Sequence, residues 1–270
     1  MALTLDVAIA THTPDGIQKI VGMNLPQVDG VRYVVSWQEH KDCQLPNQIA
    51  ERKDIEVFRL DEKGLSINRN NALSKCSGDI ILIADDDVAY SVEGLNIVRN
   101  TFEQNPRLDV ATFKSDSDKN RVYPQSITVL RKKLPKGYYV RSIEIAFRRR
   151  TAGHLRFHPE LGAGAPKLQS GEDEMVLHAA INRHLHCEFF PYIICSHSGL
   201  STGAKPTASS LRGAGCVIAL RYPLSCVLRL PLKAWRVKNN YKISFFKSIY
   251  YLIDGAFCAP GIYCRGKQYL

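Results

Sequence analysis

An α/β fold with a mostly parallel central sheet is predicted for this chain by three observations. Short β-branched segments alternate with helix-length segments through the first half, at the lengths expected of βαβ units. The run Ile80-Ile81-Leu82-Ile83-Ala84 is continuously apolar and follows the turn Ser77-Gly78, the pattern of a strand buried on both faces. Three carboxylates, Asp85, Asp86 and Asp87, come directly after it. Ligands of open α/β sheets collect at the carboxyl ends of the strands, so this strand delivers oxygen ligands to the binding edge. Adjacent like charges repel, and a divalent cation relieves them. A solvated acidic turn is the competing reading.

In chain order, residues 3–10 are a first strand, broken by Thr11-His12-Thr13-Pro14-Asp15-Gly16, and residues 17–23 are helical. Residues 31–37 and 55–60 are the second and third strands, 66–76 a helix, and 80–84 the fourth strand. Ser91 caps a helix to Gln104, with Glu93 in its first turn favoured by the dipole, and Pro106 stops it. Residues 109–114 give another strand. Residues 127–130 and 142–147 read as strands blurred by the basic runs 131–133 and 148–150, which read better as solvated faces than as phosphate contacts. Gly162 and Gly164 open a loop leading to Glu172-Asp173-Glu174, where a helix begins. Acids in a first turn are stabilised by the helix dipole, which keeps a carboxylate ionised and suits a general base. Residues 188–194 form a last strand, followed by His197.

Charge divides the chain. Residues 1–120 hold 13 Lys/Arg against 19 Asp/Glu, and residues 121–270 hold 23 against 7. From residue 204 onward there are 11 basic residues and one acid, Asp254, which points to an acidic partner: nucleic acid, anionic lipid or a phosphate-bearing substrate. The expected organisation is a catalytic domain over 1–203 and a basic, amphipathic helical extension over 204–270. Eight cysteines are scattered without a C-x-x-C pair, and residues 3–10 read as a strand rather than a secretory segment. Reduced thiols in a cytoplasmic protein follow as the expectation. Residues 238–256 read as one helix with Tyr241, Phe245, Ile249, Leu252 and Ala256 on a single face, covering the core or lying on anionic lipid.

The order of motifs now carries a resemblance. A strand into a Thr-containing turn precedes G-L-S-x-N-R-N-x-A-L and G-D-I-I-L-I-A-D-D-D; a Gly-rich loop with G-E-D and a histidine after the next strand follow. Over about residues 3–200 this resembles inverting nucleotide-sugar glycosyltransferases of the GT-A fold, family 2 type, from bacterial polysaccharide pathways. The resemblance implies a single Rossmann-like GT-A domain with a C-terminal helical extension. It implies transfer of a hexose from a nucleotide diphosphate sugar, UDP foremost, to a saccharide or lipid-linked saccharide hydroxyl. A divalent cation, Mn²⁺ or Mg²⁺, would be held by Asp87 with Asp85 and His197, Asp85 lying nearer the ribose or a metal-bound water. Thr11, His12, Thr13, Asn68, Arg69, Asp85 and Asp86 match nucleotide-contacting positions, and Asp173, aided by Glu172 or Glu174, matches the general base. On the plainer reading Asn68 and Asn70 serve instead as helix caps, and Arg69 only pairs structurally with the aspartates. One departure stands out: Ser36-Trp37-Gln38 replaces the acid that reads the base in relatives, which leaves Gln38 or Glu39 to do so.

Two other classes share part of this pattern. Haloacid-dehalogenase-type phosphatases also place Asp-x-Asp after an apolar strand, but on the first strand, whereas here it ends the fourth. A non-catalytic nucleic-acid or membrane binder is suggested by charge alone, without a recognisable nucleic-acid module.

Overall fold

Residues 2–116, 121–197 and 206–270 are described by the computed structural model. The elements in order are β1 (Leu5–His12), α1 (Thr13–Gly22), β2 (Val31–Gln38), α2 (Asn47–Ala50), β3 (Ile55–Leu60), α3 (Leu65–Lys75), β4 (Ile80–Asp85), β5 (Val88–Tyr90), α4 (Val92–Gln104), β6 (Val110–Asp116) and β7 (Thr128–Val129). Next come β8 (Ile145–Arg148), α5 (Arg149–Ala152), α6 (Glu172–Asn182), β9 (Cys187–His197), α7 (Ala208–Arg221), α8 (Cys226–Tyr241) and α9 (Phe245–Arg265). The fold is α/β with a mostly parallel sheet and a helical C-terminal region. Two compact units share the chain: Met1–Lys63, Ile67–Arg156 and Ala180–Gly199 in the first; Gly64–Ser66, Phe157–Ala179 and Leu200–Leu270 in the second. The domain boundary expected at 203/204 lies outside the described residues.

The first unit holds the whole sheet, in the order β3-β2-β1-β4-β8-β6-β9-β5, with β7 on β9. β1, β2, β3, β4, β6 and β9 run one way and β5, β7 and β8 the other. β4 lies inside this sheet, and Ile80 to Ala84 are all buried. Ile80, Leu82 and Ala84 join a core with Ile17 and Ile20 of α1 and Leu95, Val98 and Phe102 of α4. Buried Asp6 explains the turn before β4: its Oδ2 accepts from the Ser77 and Gly78 amides at 2.6 and 2.9 Å while Arg32 pairs with it at 2.8 Å. Ser91 caps α4 as its position predicts, accepting from the Gly94 amide at 3.0 Å.

Several expected boundaries shift, each for a visible reason. β1 runs through Thr11 and His12, because His12 still pairs with Gln38 of β2, and the helix begins at Thr13. The 142–147 strand opens as a 3-10 turn, Ser142–Glu144, before β8. The 148–150 run is not a solvated face at its first member. Arg148 is buried and donates to the carbonyls of Leu108, Phe102 and Asn105, while Arg149 donates to that of Gly78.

In the second unit the expected 238–256 helix is two helices. Lys242 turns left-handed (φ 55°) after α8, and α9 starts three residues later. Leu252 is buried, and Phe245, Ile249 and Ala256 pack on its cluster, while Tyr241, on α8, is exposed. α7 and α9 cross at glycine. A Cβ at Gly255 would stand 1.9 Å from the Arg212 carbonyl oxygen, and one at Gly215 1.9 Å from that of Leu252. Gly255→Ala is expected to destabilise the protein by about 1–3 kcal/mol or more, because backbone atoms cannot yield as a side chain can. A lowered thermal midpoint measures it, and an unchanged midpoint would show that this crossing relaxes freely.

Candidate active site

β1 pairs with both of its neighbours so that His12 stands opposite Gln38 and Ala10 opposite Asp85. The parallel strands therefore end together, and the 11–13 turn lies beside the aspartates. Thr13 takes a left-handed backbone (φ 65°), unusual for a β-branched residue, and its carbonyl accepts from Trp37 Nε1 at 2.8 Å. His12 precedes it as the exposed N-cap residue of α1. Gln38 is buried at the end of β2, where its amide donates to the Glu62 carbonyl. Glu39 beside it pairs with Lys63 at 2.7 Å.

Asp86 turns into the protein. Thr11 Oγ1 donates to its Oδ2 at 2.6 Å, and Lys19 Nζ stands 3.7 Å from Oδ1. Gly16 makes room for this, since a Cβ there would lie 2.2 Å from Thr11 Oγ1. Burial raises the Asp86 pKa above the ordinary carboxylate value, against the opposing pull of the Thr11 bond and Lys19. The folded state thus favours the acid form. The stability this group contributes is fully present below 3.8, the ordinary value, and is lost as pH rises through the raised one. Asp86→Asn keeps an acceptor for Thr11 and removes the buried charge. It is expected to melt higher than the parent at neutral pH, with the gain vanishing in acid. Thermal melts across pH check this, and a gain that is constant with pH would contradict it.

The polar helix α3 clamps these strand ends. Its Asn68 and Arg69 lie beyond the N-cap position, so Asn68 does not cap. Asn68 Nδ2 donates to the Thr11 carbonyl and Asn71 Nδ2 to Ser36 Oγ, both at 2.7 Å. Buried Arg69 donates through Nη2 to both oxygens of Asp85, at 2.7 and 2.9 Å. A guanidinium held this way keeps its plane fixed at the strand edge, beside the aspartates.

Asp87 differs from its neighbours. After it the chain forms the short strand β5, which pairs with β9 and sets Val88 opposite His197. His197 Nε2 comes within 3.1 Å of Asp87 Oδ2. Among the described residues Asp87 Oδ1 and His197 Nδ1 are buried without hydrogen-bond partners, as is Asn68 Oδ1. Among the described residues no three His, Cys, Asp or Glu side chains gather as a metal site. The donor chemistry nevertheless fits a divalent cation bound with substrate: one carboxylate and one imidazole, with an orphaned carboxylate oxygen, leave positions for phosphate oxygens.

The acids of the second unit sit in the first turn of α6. The loop before them needs left-handed backbone at Gly162, Gly164 and Gly171 (φ 100°, 79° and 95°). A Cβ on Gly162 would meet Ser66 Oγ and Glu172 Cδ, each at 3.0 Å. Ser66 Oγ donates to the Leu161 carbonyl and the Leu65 amide to that of Ala163, at 2.5 and 2.9 Å, tying the start of α3 to this loop. Glu174 is ion-paired with Arg221 of α7. Glu172 and Asp173 precede it in the same first turn.

The glycosyl transferase family 2 model matches residues 41–159, which include β4 and the three aspartates. Over that segment the chain is similar to family 2 glycosyltransferases. Solved structures of S. aureus TarS share its fold. TarS 1-349 in complex with UDP-GlcNAc is 16% identical, with 99% of this chain and 89% of that one covered at a TM-score of 0.58. The UDP complex of the same fragment gives 15% and 0.55 over the same shares. The longer TarS structure gives 16% and 0.54, with 54% of it covered. No curated protein sequence matches the chain.

Four supporting residues, Gly16 and Asn71 in the first unit and Ser66 and Arg221 in the second, were not singled out as such by the sequence motifs. Gly16, Asn71, Ser66 and Arg221 act through contacts between residues distant in sequence, and only Gly16, after Pro14-Asp15, carried a local turn signal.

Proposed function

We propose that the protein transfers a hexose, with inversion, from a UDP-sugar to a saccharide or lipid-linked saccharide hydroxyl in polysaccharide assembly. The observation that carries this is the Asp87–His197 pair with its orphaned carboxylate oxygen, set at the sheet edge beside the Thr11 turn and the Arg69–Asp85 pair. Asp87 and His197 would hold the divalent cation, Mn²⁺ suiting an imidazole donor better than Mg²⁺. When bound, the cation supplies positive charge to the leaving diphosphate. Thr11, His12, Thr13, Asn68 and Asp86 would shape the nucleotide side, Arg69 would lend its guanidinium, and Gln38 or Glu39 would read the base. Asp173, with Glu172 beside it, takes the proton from the acceptor hydroxyl as that oxygen bonds to the anomeric carbon. The bond from that carbon to the diphosphate oxygen breaks in the same step, and UDP departs with the electron pair. The fold of TarS, solved with UDP-GlcNAc and with UDP, supports a uridine donor.

Calorimetric titration with UDP and GDP, each with and without Mn²⁺, tests the donor half. Binding of UDP that strengthens with Mn²⁺ is expected. Binding of neither nucleotide would remove the proposal's main support and return the aspartates to a structural role.

A further inference from the structure

Helix α9 is apolar on two opposite faces. Ser248, Leu252, Gly255, Ala259 and Ile262 form the buried stripe. Phe246, Tyr250, Ile253 and Phe257 recur at helical spacing on the other side and are exposed, Phe246 by 81% and Phe257 by 82%. A soluble helix ordinarily turns one polar face outward, so an uncovered aromatic stripe marks an interaction surface. Helix α8 repeats the arrangement with charge added. Leu230, Ala234 and Val237 form its buried seam, and Leu228 and Trp235, two turns apart, stay exposed. Arg229, Lys233 and Arg236 follow a third line at the same spacing, outside the buried seam.

The composition of this surface selects its occupant. From 206 to 270 the sole acid is Asp254, and it is held by Arg212 at 2.5 Å and Lys167 at 3.2 Å, so no carboxylate there is left to neutralise the α8 cations. A second copy seated on the face would bring the same cations with it. Anionic headgroups neutralise them, and Trp, Tyr and Phe suit the boundary between headgroup and acyl chain. Among the described residues no helix is long and apolar enough to cross a membrane, so contact would be made lying on the surface. We propose that α8 and α9 dock this protein on an anionic lipid bilayer, the aromatic stripe of α9 entering the interface and the α8 cations facing the headgroups. The buried face of α9 packs on α7, whose Gly213 lies against Ser170, just before Glu172 and Asp173. The docking helices thus belong to the same unit as the candidate base, though the proposal does not rest on the transfer reaction.

The test is co-sedimentation of the full chain with vesicles of equimolar phosphatidylglycerol and phosphatidylcholine, and with phosphatidylcholine alone. The wild type is expected to sediment with the anionic vesicles, less as salt rises, and poorly with neutral ones. F246S/F257S, altered at exposed positions, is expected to bind at least about tenfold more weakly. R229Q/K233Q/R236Q is expected to lose the preference for anionic lipid. Wild-type protein left in the supernatant, or both variants binding as the wild type does, would overturn the proposal. So would a drop in the lipid-free molar mass of F246S/F257S by light scattering, which would assign the face to a second copy. UDP calorimetry on the same samples reports the nucleotide site separately, so loss of one reading leaves the other standing.

Discussion

Asp173→Asn is expected to lower turnover by about 10²–10⁴-fold while leaving UDP affinity within a factor of about two. The substitution keeps size and shape and removes the capacity to accept a proton from the acceptor hydroxyl. Its place in the first turn of α6, after three glycines in left-handed backbone, fixes the group on a rigid helix rather than on the loop. Glu174 offers an internal comparison. Arg221 holds it, so Glu174→Gln is expected to unsettle that ion pair and lower the thermal midpoint more than it lowers turnover. Glu172→Gln separates the remaining pair, because the acid that acts as base is the one whose amide leaves donor binding intact and turnover lost. Initial rates with a UDP-sugar, beside UDP calorimetry, supply the measurement. Full turnover by Asp173→Asn would transfer the role to Glu172 or discard it.

The sheet was legible because its strands are apolar and β-branched, and because glycine turns and Ser91 punctuate them locally. The Asp85–Asp87 cluster was legible for the same reason: it follows a strand that has nowhere to go but the core. What the three acids do separately was not legible. Asp86 lies in the middle of a charged triplet, yet it points inward, because Gly16 lacks a Cβ and lets Thr11 reach it. Capping, the plainer reading of Asn68, fails because its side chain reaches the Thr11 carbonyl on another strand, whereas the pairing of Arg69 with an aspartate is present at Asp85. The split of the C-terminal helix at Lys242 had no glycine or proline to announce it. Nor did spacing predict β5, whose three residues are too few to show a period but set Asp87 against His197.

That last pairing sets the second large effect. Asp87→Ala is expected to remove the Mn²⁺-dependent part of UDP affinity, about 10²-fold or more, and His197→Ala to remove a smaller share of the same quantity. Two ligands of one ion are coupled, so the double variant should bind UDP no more weakly than Asp87→Ala alone. A plain ion pair predicts otherwise. If Asp87 and His197 only fasten β5 to β9, each variant would lower the thermal midpoint, and UDP affinity would respond to Mn²⁺ as in the parent. Asp87→Asn sharpens the distinction, since the amide oxygen still accepts a hydrogen bond from His197 while the negative charge is gone. Under the structural reading that variant is nearly silent. Under the metal reading it loses almost as much as Asp87→Ala, because a neutral amide oxygen is a far weaker ligand for a hard cation than a carboxylate. Titrating UDP against both variants, with and without Mn²⁺, therefore decides what the orphaned oxygen of Asp87 is for.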